Sequence, residues 1–432
     1  MNPGRLVVAL LIITGLIGSL VSGTAFYTRL LIVGVVLLAG AWVWVTVVAR
    51  SIELTRLPEF FRAGVGDIFK EQYEIRNMSS LPGMWVELYN EMPLPTASGS
   101  RLLTRVRPRQ KQTYVARTWL TRRGGFPIGP TILKVSDPLG LFRAERQYPA
   151  ERTLIILPMI FPIESFLSPP GMIPGGPVIR RKTMDITPHA AGIREYVPGD
   201  PMKRIHWPTT ARRGSLMVKE FEQDPLAQVW LFLDAQQSVQ SQKSFEAPAM
   251  PLENLLFSRR PKLSLSPSTL EYEVSITASL AHYFIEARRA VGLVAEDSGY
   301  TMLAAERSQR QETKILETLA FIQGNGRLPI SALVSTQAGQ LPQGSTVILI
   351  TPSTSLDLLV IADDLQRRRL NPVVILLSAE SFGGRPGSRE LAQRLNDQRV
   401  PVCMIYCDAD LSQTLSTFTA GDSSMDSTTW QR

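Results

Sequence analysis

The chain has 432 residues, of which 44% are hydrophobic and 19% charged, a composition that excludes a disordered or fibrous protein and a length that exceeds one ordinary domain. Its 46 Lys and Arg residues against 38 Asp and Glu give a net charge of +8, a modest excess whose meaning depends on where it lies. Cys403 and Cys407 stand four apart in a strand-like run, about 13 Å from each other, which excludes a disulfide between them there and indicates buried thiols.

Two apolar segments open the chain, Leu6–Thr28 and Leu30–Ala49, and neither contains a charged residue. Each is long enough to cross about 30 Å of hydrocarbon as a helix. Arg29 lies in the predicted connection, and four basic residues follow the second segment between positions 50 and 70. The positive-inside rule therefore predicts a multi-pass protein of the inner (plasma) membrane, with residues 1–50 as a transmembrane hairpin and the soluble bulk in the cytoplasm.

The first segment could instead be a cleaved signal peptide, with Val21–Gly23 as its small-residue cleavage site. Its apolar run is long for a signal peptide. In that alternative the second segment still delivers the bulk of the chain to the cytoplasm.

Residues 51–180 are predicted to form an all-β, sandwich-like domain. Four segments alternate with the period of half-buried strands and are separated by Pro-Gly and Gly-Gly pairs. They are Ile68–Ile75, Trp85–Tyr89, Thr113–Leu120 and Thr131–Val135.

This domain is locally basic, since residues 92–136 contain nine basic residues and no acidic one. Arg105, Arg107, Arg109 and Lys111 recur at every second position, which predicts a basic stripe on one strand face. We favour a solvated strand face, with contact to anionic lipid as the functional alternative. Nucleic acid is disfavoured, because no aromatic residues interleave with the stripe.

The linker, residues 181–224, holds the most distinctive segment of the chain, which runs from Arg194 to Glu222. Its pattern predicts a turn, a short helix and a strand. Asp200 suits the N-cap, Pro208 is expected to interrupt the helix, and Gly214 permits a left-handed exit.

This segment resembles the signature of domain-of-unknown-function family 58 (DUF58), which usually has an Asp at the position of His206. The agreement extends to Arg123–Pro130, to Asp137–Phe142 and to the two-span anchor. The matching residues are Arg194, Glu195, Tyr196, Pro198, Gly199, Asp200, Arg204, Ile205, Trp207, Ala211, Arg212 and Val218.

The segment is interpreted as an interdomain latch. Asp200, Arg204, His206 and Glu220 have the side chains of acid–base catalysis, so an enzyme that uses the Asp200/His206 segment remains a further alternative. A latch would use the same residues to pair charges and to satisfy buried backbone groups. The three histidines of the chain do not have the spacing of a metal site.

Residues 225–418 are predicted to form an α/β doubly wound domain with a mainly parallel sheet, because apolar strands alternate with helical patterns. Asp297–Gly299 turns the second strand into a hairpin and gives one antiparallel edge. The resemblance implies that this is a von Willebrand factor A-like domain. The predicted strands are Val229–Leu233, Val291–Ala295, Val347–Ile350, Val373–Leu377 and Val402–Tyr406, and the helices are Leu270–Ala290, Lys314–Ile322 and Leu356–Arg369.

In von Willebrand A-like domains the first strand ends in Asp-x-Ser-x-Ser, which binds a divalent cation. Here Asp234 is followed by Gln236 in place of the first Ser, and only Ser238 matches the second. A hard cation requires several oxygen ligands, so no cofactor is expected, with Mg²⁺ or Mn²⁺ as the alternative. Asp234, Ser238 and Thr351 nevertheless form the candidate binding face, because ligands of open parallel sheets bind at the carboxyl ends of the strands.

Two segments are predicted to form neither a helix nor a strand. Residues 239–268 are predicted to be an irregular insertion, either a binding loop or a floppy segment. Residues 419–432 are predicted to be a disordered tail.

No phosphate loop, nucleophile elbow or zinc spacing occurs, and Gly324-Asn325-Gly326 lacks the third glycine of a dinucleotide fingerprint. An enzyme is therefore the weaker hypothesis. Proteins that resemble this family are commonly encoded beside MoxR-type AAA+ ATPases and other von Willebrand A proteins. The resemblance thus implies a membrane-anchored adaptor or scaffold that works with such an ATPase in protein-complex assembly or envelope maintenance, with a metal-dependent binding module as the alternative.

Overall fold

The computed structural model describes residues 3–83, 85–94, 101–103, 105–167, 190–197, 205–221, 228–245 and 264–418. It divides into two compact units, and the division falls between Met159 and Ile160. This is about twenty residues before the predicted domain end at 180. Residues after the division pack on the second unit, where the Phe166 ring lies 5.8 Å from that of Phe284 and the Phe161 N–H donates to Ser279 Oγ at 2.8 Å.

The first unit begins with two helices, α1 (Pro3–Ser22) and α2 (Ala25–Ser51). Both are long and apolar enough to cross a membrane, and most of their large apolar side chains are exposed. They pack closely because α1 has glycine at their contact, where a Cβ on Gly15 would lie 2.7 Å from the backbone nitrogen of Leu31. This part of the chain is compatible with a membrane anchor.

The break between these helices differs from the predicted one. Gly23 adopts a left-handed conformation with φ of +62° and ends α1, and Thr24 precedes α2. Arg29 therefore lies within α2 and not in the connection. The orientation of the hairpin in a membrane stays a prediction.

The rest of the first unit is built of β-strands, as predicted, in three sheets with the orders β1-β3-β6, β2-β10-β7 and β5-β4-β8-β9. The strands are β1 (Ile52–Pro58), β2 (Arg62–Gly64), β3 (Ile68–Asn77), β4 (Trp85–Asn90), β5 (Arg101–Leu103), β6 (Lys111–Trp119), β7 (Gly124–Pro127), β8 (Thr131–Ser136), β9 (Arg143–Tyr148) and β10 (Thr153–Leu157).

The main core of this unit joins two sheets. Tyr73 and Ile75 of β3 pack in one buried cluster with Val86 of β4 and Leu133 of β8. Alternation along each strand sends these side chains to the same face. Val48 of α2 belongs to this cluster, so the end of the second apolar helix is part of the β core.

The second unit starts with a two-stranded ribbon. Strand β11 (Ala190–Glu195) pairs antiparallel with β12 (Met217–Phe221), and helix α3 (Trp207–Arg213) precedes β12. The chain then enters a six-stranded sheet.

The sheet has the order β15-β14-β13-β16-β17-β18, in which β15 is antiparallel and the other strands are parallel. The strands are β13 (Val229–Leu233), β14 (Val291–Glu296), β15 (Tyr300–Glu306), β16 (Thr346–Thr351), β17 (Asn371–Leu377) and β18 (Val402–Ile405). Within the domain this is the 3-2-1-4-5-6 order of a doubly wound sheet.

Helices cover both faces of the sheet, which explains why its central strands are continuous apolar runs. Trp230 and Phe232 of β13 face a core shared with α6, α7 and α8, and α4 packs on β13, β14 and β16. The helices are α4 (Thr269–Glu286), α5 (Gln309–Phe321), α6 (Ile330–Ala338), α7 (Asp357–Arg367), α8 (Ser388–Asp397) and α9 (Leu411–Thr417).

The two thiols differ in environment, and both are free. Cys403 is buried in β18, where burial raises the pKa of its thiol to about 12. Cys407 lies beyond the end of the strand and is partly exposed, because β18 ends at Ile405 and a turn follows. The prediction of a buried thiol at Cys407 is therefore wrong.

Candidate functional site at the carboxyl edge of the sheet

Two predicted site residues, Asp234 and Thr351, meet at the carboxyl edge of the sheet. Asp234 follows β13 directly, and Thr351 is the last residue of the neighbouring parallel strand β16. Thr351 Oγ1 donates a hydrogen bond to Asp234 Oδ2 at 2.6 Å, and both residues are completely buried. The parallel register of the two strands produces this contact.

The carboxylate of Asp234 is bonded on both oxygens. The Gln236 N–H donates to Oδ1 at 3.1 Å, and the Ser353 N–H donates to the Thr351 hydroxyl at 2.9 Å. Burial raises the pKa of Asp234 to about 6, although the hydrogen bonds from Thr351 and Gln236 favour its charged form. Asp234 thus holds the strand ends and the following turn together.

Ser238 has a different position from the one expected. It is exposed on the 3₁₀ turn Gln237–Val239, whereas Gln240 turns inward. Gln240 Nε2 donates to the carbonyl oxygen of Asp234 at 2.8 Å and to Glu273 Oε2 at 3.2 Å. Its Oε1 accepts a hydrogen bond from the hydroxyl of Thr269. Gln240, and not Ser238, therefore belongs to the buried network.

Glu273 is a buried carboxyl that sequence reasoning missed. It lies in the second turn of α4, is completely buried, and its Oε1 has no hydrogen-bond partner within the described part of the chain. Burial, with the charge of Asp234 beside it, raises the pKa of Glu273 well above its ordinary value. A signal was available, because Glu273 falls on the apolar face of its helix with Ile276 and Leu280.

These residues do not fit a directly coordinated divalent cation in this arrangement. Mg²⁺ and Mn²⁺ prefer several oxygens, often including carboxylates and waters. Both oxygens of Asp234 and the hydroxyl of Thr351 are already bonded to protein groups, and Ser238 is exposed. In the described residues, no group of three or more His, Cys, Asp or Glu side chains is placed to hold a metal ion.

A neighbouring loop fixes the edge. The Gly326 N–H donates to the carbonyl of Ala235 at 2.8 Å, and the Gln237 N–H donates to that of Gly326 at 2.9 Å. A Cβ on Gly326 would lie 2.4 Å from the carbonyl oxygen of Glu296, so only glycine permits this approach. In the described chain, the Gly324–Gly326 run thus serves loop packing.

Three large aliphatic side chains are exposed on segments that begin at this edge. Leu328 follows the Gly326 loop and is 46% exposed, while Leu356 and Val360, after β16, are 54% and 70% exposed. We call these three residues the apolar rim. Large aliphatic side chains that stay exposed in a folded domain are candidates for an interaction surface.

The predicted insertion, residues 239–268, leaves and re-enters the domain at one point. The Lys243 N–H donates to the carbonyl of Pro267 at 3.0 Å, and Gln242 bridges to Ser268. Residues 246–263 lie outside the described part of the chain, as does the predicted tail, 419–432.

The signature segment forms the β11–β12 ribbon, and its residues Pro198–Arg204 lie outside the described part. Arg194 pairs in register with Val218, and the Tyr196 N–H donates to the carbonyl of Leu216 at 2.8 Å. Ile205 is buried and bridges to Val218, whereas Glu195 is exposed. The role of Asp200 stays a prediction.

The signature helix differs from the expected one. α3 begins at Trp207 with His206 at its N-cap, so Pro208 lies in the first turn and does not interrupt the helix. Proline is tolerated there because the first helical N–H groups have no partner within the helix. Gly214 ends α3 with a φ of +70°, the left-handed exit that the sequence indicates.

Helix α3 lies on the surface of the second unit, and the latch interpretation stays a prediction. All seven residues of this helix are at least partly exposed, and Trp207 is 64% exposed. His206 Nδ1 lies 2.7 Å from Thr209 Oγ1, and Arg212 is exposed in the last turn. Within the described residues, these groups belong to the surface of the ribbon.

The predicted basic stripe is not a strand face. Arg105, Arg107 and Arg109 precede β6, where Pro108 and Arg109 form a turn in which Arg109 has a φ of +55°. Only Lys111 lies in β6, and its Nζ is 2.6 Å from Glu74 Oε1. All four side chains are exposed, but the turn breaks their alternation.

This chain is similar in sequence to a protein family and to a protein of Bacillus subtilis. The family described as "Protein of unknown function DUF58" matches residues 192–247. Uncharacterized protein YeaD from Bacillus subtilis (strain 168) is 22% identical over 326 residues, which are 73% of each chain.

Solved structures give only remote likenesses. The CARDB domain of a Pyrococcus furiosus protein has a TM-score of 0.18 at 8% identity, over 24% of this chain and 91% of that one. A FixG-related protein from Vibrio parahaemolyticus has a TM-score of 0.16 at 8% identity, over 24% of this chain and 96% of that one. Scores this low carry no argument. The sequence comparisons alone support the resemblance that the signature segment indicates, to the DUF58 family of unknown function.

Proposed function

We propose that this protein is a membrane-anchored, non-catalytic adaptor that binds a protein partner at the carboxyl edge of its α/β sheet. The apolar rim of Leu328, Leu356 and Val360 is the observation that carries the proposal. Buried aliphatic groups supply much of the binding energy of protein interfaces, and their exposure to water in the free protein is unfavourable.

The hydrogen-bond network at the carboxyl edge of the sheet supports binding over catalysis. A general acid or base must come within hydrogen-bond distance of its substrate. Asp234 and Glu273 are instead completely buried, and Gln240 links them from inside the domain. Such a network is suited to holding the surrounding loops in one conformation.

The partner is a MoxR-type AAA+ ATPase, and the domain is von Willebrand A-like. The resemblance implies both, and the 3-2-1-4-5-6 strand order with one antiparallel edge is consistent with the second. In this arrangement the anchor fixes the adaptor in the inner membrane with its soluble units in the cytoplasm, and the ATPase supplies the energy for protein-complex assembly or envelope maintenance.

The test is the affinity of the purified ATPase from the same organism for the full chain in lipid nanodiscs, measured by biolayer interferometry. We expect Leu356→Asp and Val360→Asp each to weaken binding at least about tenfold, because a buried interface position does not tolerate an unpaired charge. Leu57→Asp is the matched control, since Leu57 is similarly exposed but lies on β1. The proposal would be refuted if the ATPase bound the chain no more strongly than it binds empty nanodiscs. An equal loss of affinity in all three variants would also refute it.

A further inference from the structure

A crevice of about 500 Å³ opens between the two apolar helices and the loop that joins β8 to β9. Its walls are apolar, with Ile12 and Ile13 from α1, Leu38 from α2 and Phe142 from the loop. Arg5 is the charged residue among those that line it. Among the described residues, the crevice therefore combines a hydrocarbon-like interior with one cationic side chain.

Helix packing places Arg5 at one end of the apolar belt. Val8 of α1 and Ala41 of α2 pack in one small cluster with Leu141. Because the helices are antiparallel, Arg5 lies near the level of Trp42, which is in the turn of α2 that follows Ala41. Indole rings favour the boundary between hydrocarbon and headgroups, and beyond this level α2 enters the β core at Val48.

The guanidinium of Arg5 is held in place by the loop. Its Nε donates to the carbonyl of Leu141. The loop is itself fixed by Asp137, whose carboxylate accepts from the Leu139 N–H at 2.9 Å and the Phe142 N–H at 2.6 Å. Arg5 is thus pre-positioned beside the apolar walls, and the terminal nitrogens of a guanidinium are the groups that bind phosphate oxygens in pairs.

A phospholipid satisfies both parts of this crevice. Water between apolar walls is unfavourable, whereas an acyl chain matches them. A cation at the boundary between hydrocarbon and headgroups lies at the depth of the lipid phosphates, which carry the opposite charge. A lipid with net negative charge, such as phosphatidylglycerol, neutralises one guanidinium, whereas the ammonium group of a zwitterionic lipid brings a second positive charge.

We propose that this crevice is a binding site for an anionic phospholipid, with an acyl chain between Ile12, Ile13 and Leu38 and the phosphate on Arg5. The site requires α1 and α2 to lie in the bilayer. It is independent of the apolar rim on the second unit, so failure of either proposal leaves the other standing.

The test is native mass spectrometry of the full chain released from nanodiscs that contain equal amounts of phosphatidylglycerol and phosphatidylcholine. We expect retained phosphatidylglycerol to exceed phosphatidylcholine by about fivefold, the factor that one basic side chain contributes at an anionic surface. Arg5→Gln should remove this preference. Arg50→Gln is the matched control, because Arg50 is a basic residue in the last turn of α2 and does not line the crevice.

Ala9→Trp provides a second variant, since Ala9 lines the crevice and an indole there would fill it while Arg5 is kept. We expect it to reduce the retention of both lipids. An unchanged preference in Arg5→Gln, or equal loss in Arg5→Gln and Arg50→Gln, would overturn the proposal. Full retention of both lipids by the Ala9→Trp variant would also overturn the proposal.

Discussion

At the scale of residues, the carboxyl edge of the sheet is organised by two buried acidic residues, Asp234 and Glu273, that are joined by the side-chain amide of Gln240. Burial raises the pKa of Glu273 well above its ordinary value, and the charge of Asp234, which ionises first, raises it further. Gln240 donates to both residues, to the carbonyl of one and to the carboxyl of the other. A neutral Glu273 beside a charged Asp234 is the state that these contacts favour at neutral pH.

The raised pKa of Asp234 makes stability depend on pH. Its pKa is about 6 in the folded protein against an ordinary value of 3.8, so between these values the folded state binds more protons than the unfolded state. The contribution of this group to the free energy of unfolding therefore falls as pH rises from about 4 to about 6, by about 2 to 3 kcal/mol, and stays low above pH 6.

We expect Asp234→Asn to remove this part of the pH dependence. Thr351→Val should extend the fall to higher pH, because it deletes a hydrogen bond that lowers the pKa of Asp234. Chemical unfolding of the full chain in nanodiscs from pH 4 to pH 8, followed by tryptophan fluorescence, measures both effects. An identical slope in Asp234→Asn and the wild type would contradict this account.

At the scale of elements, α2 passes through two environments. Its first turns expose apolar side chains, as expected of a helix in contact with lipid, whereas Val48 near its end is completely buried with Tyr73 and Val86. Four residues after Val48, Ile52 begins β1 and belongs to the same core. The second apolar helix and the β core are therefore one continuous structure.

This continuity predicts different effects for two adjacent valines. Val48→Ala should lower the stability of the β core by about 2 kcal/mol, because it removes two buried methyl groups and leaves a cavity. Val47→Ala is the matched control, since Val47 is 39% exposed and should change stability by less than about 0.5 kcal/mol. Hydrogen exchange of the β3 and β8 amides measures the difference, and equal effects of the two variants would show that α2 ends outside the core.

Elements with a clear hydrophobic pattern could be predicted closely from the sequence. Elements whose limits depend on the backbone conformation of one residue could not. The run Val229–Leu233 matches β13 at both ends, because a fully buried parallel strand is continuously apolar. In contrast, the alternation from Arg105 to Lys111 suggested a strand, but Pro108 and the left-handed Arg109 form a turn. Periodicity does not report such turns, and it did not indicate that Gly23 ends α1.

At the scale of the whole molecule, the chain combines an apolar helical hairpin that is continuous with a β core and an α/β unit with an exposed apolar rim. The contact between Asp234 and Thr351 could be anticipated from the rule for parallel sheets. The burial of Glu273 could also have been predicted, from its place on the apolar face of α4. The inward turn of Gln240 could not, because it depends on how the loop after β13 meets the start of α4.

Site-specific photo-cross-linking in membranes shows whether the apolar rim contacts the partner. A photoreactive phenylalanine derivative replaces Leu356 in one sample and Leu57 in another, in cells that also contain the MoxR-type ATPase. We expect a cross-link to the ATPase from position 356 and none from position 57. No cross-link from position 356, or equal cross-linking from both positions, would contradict it.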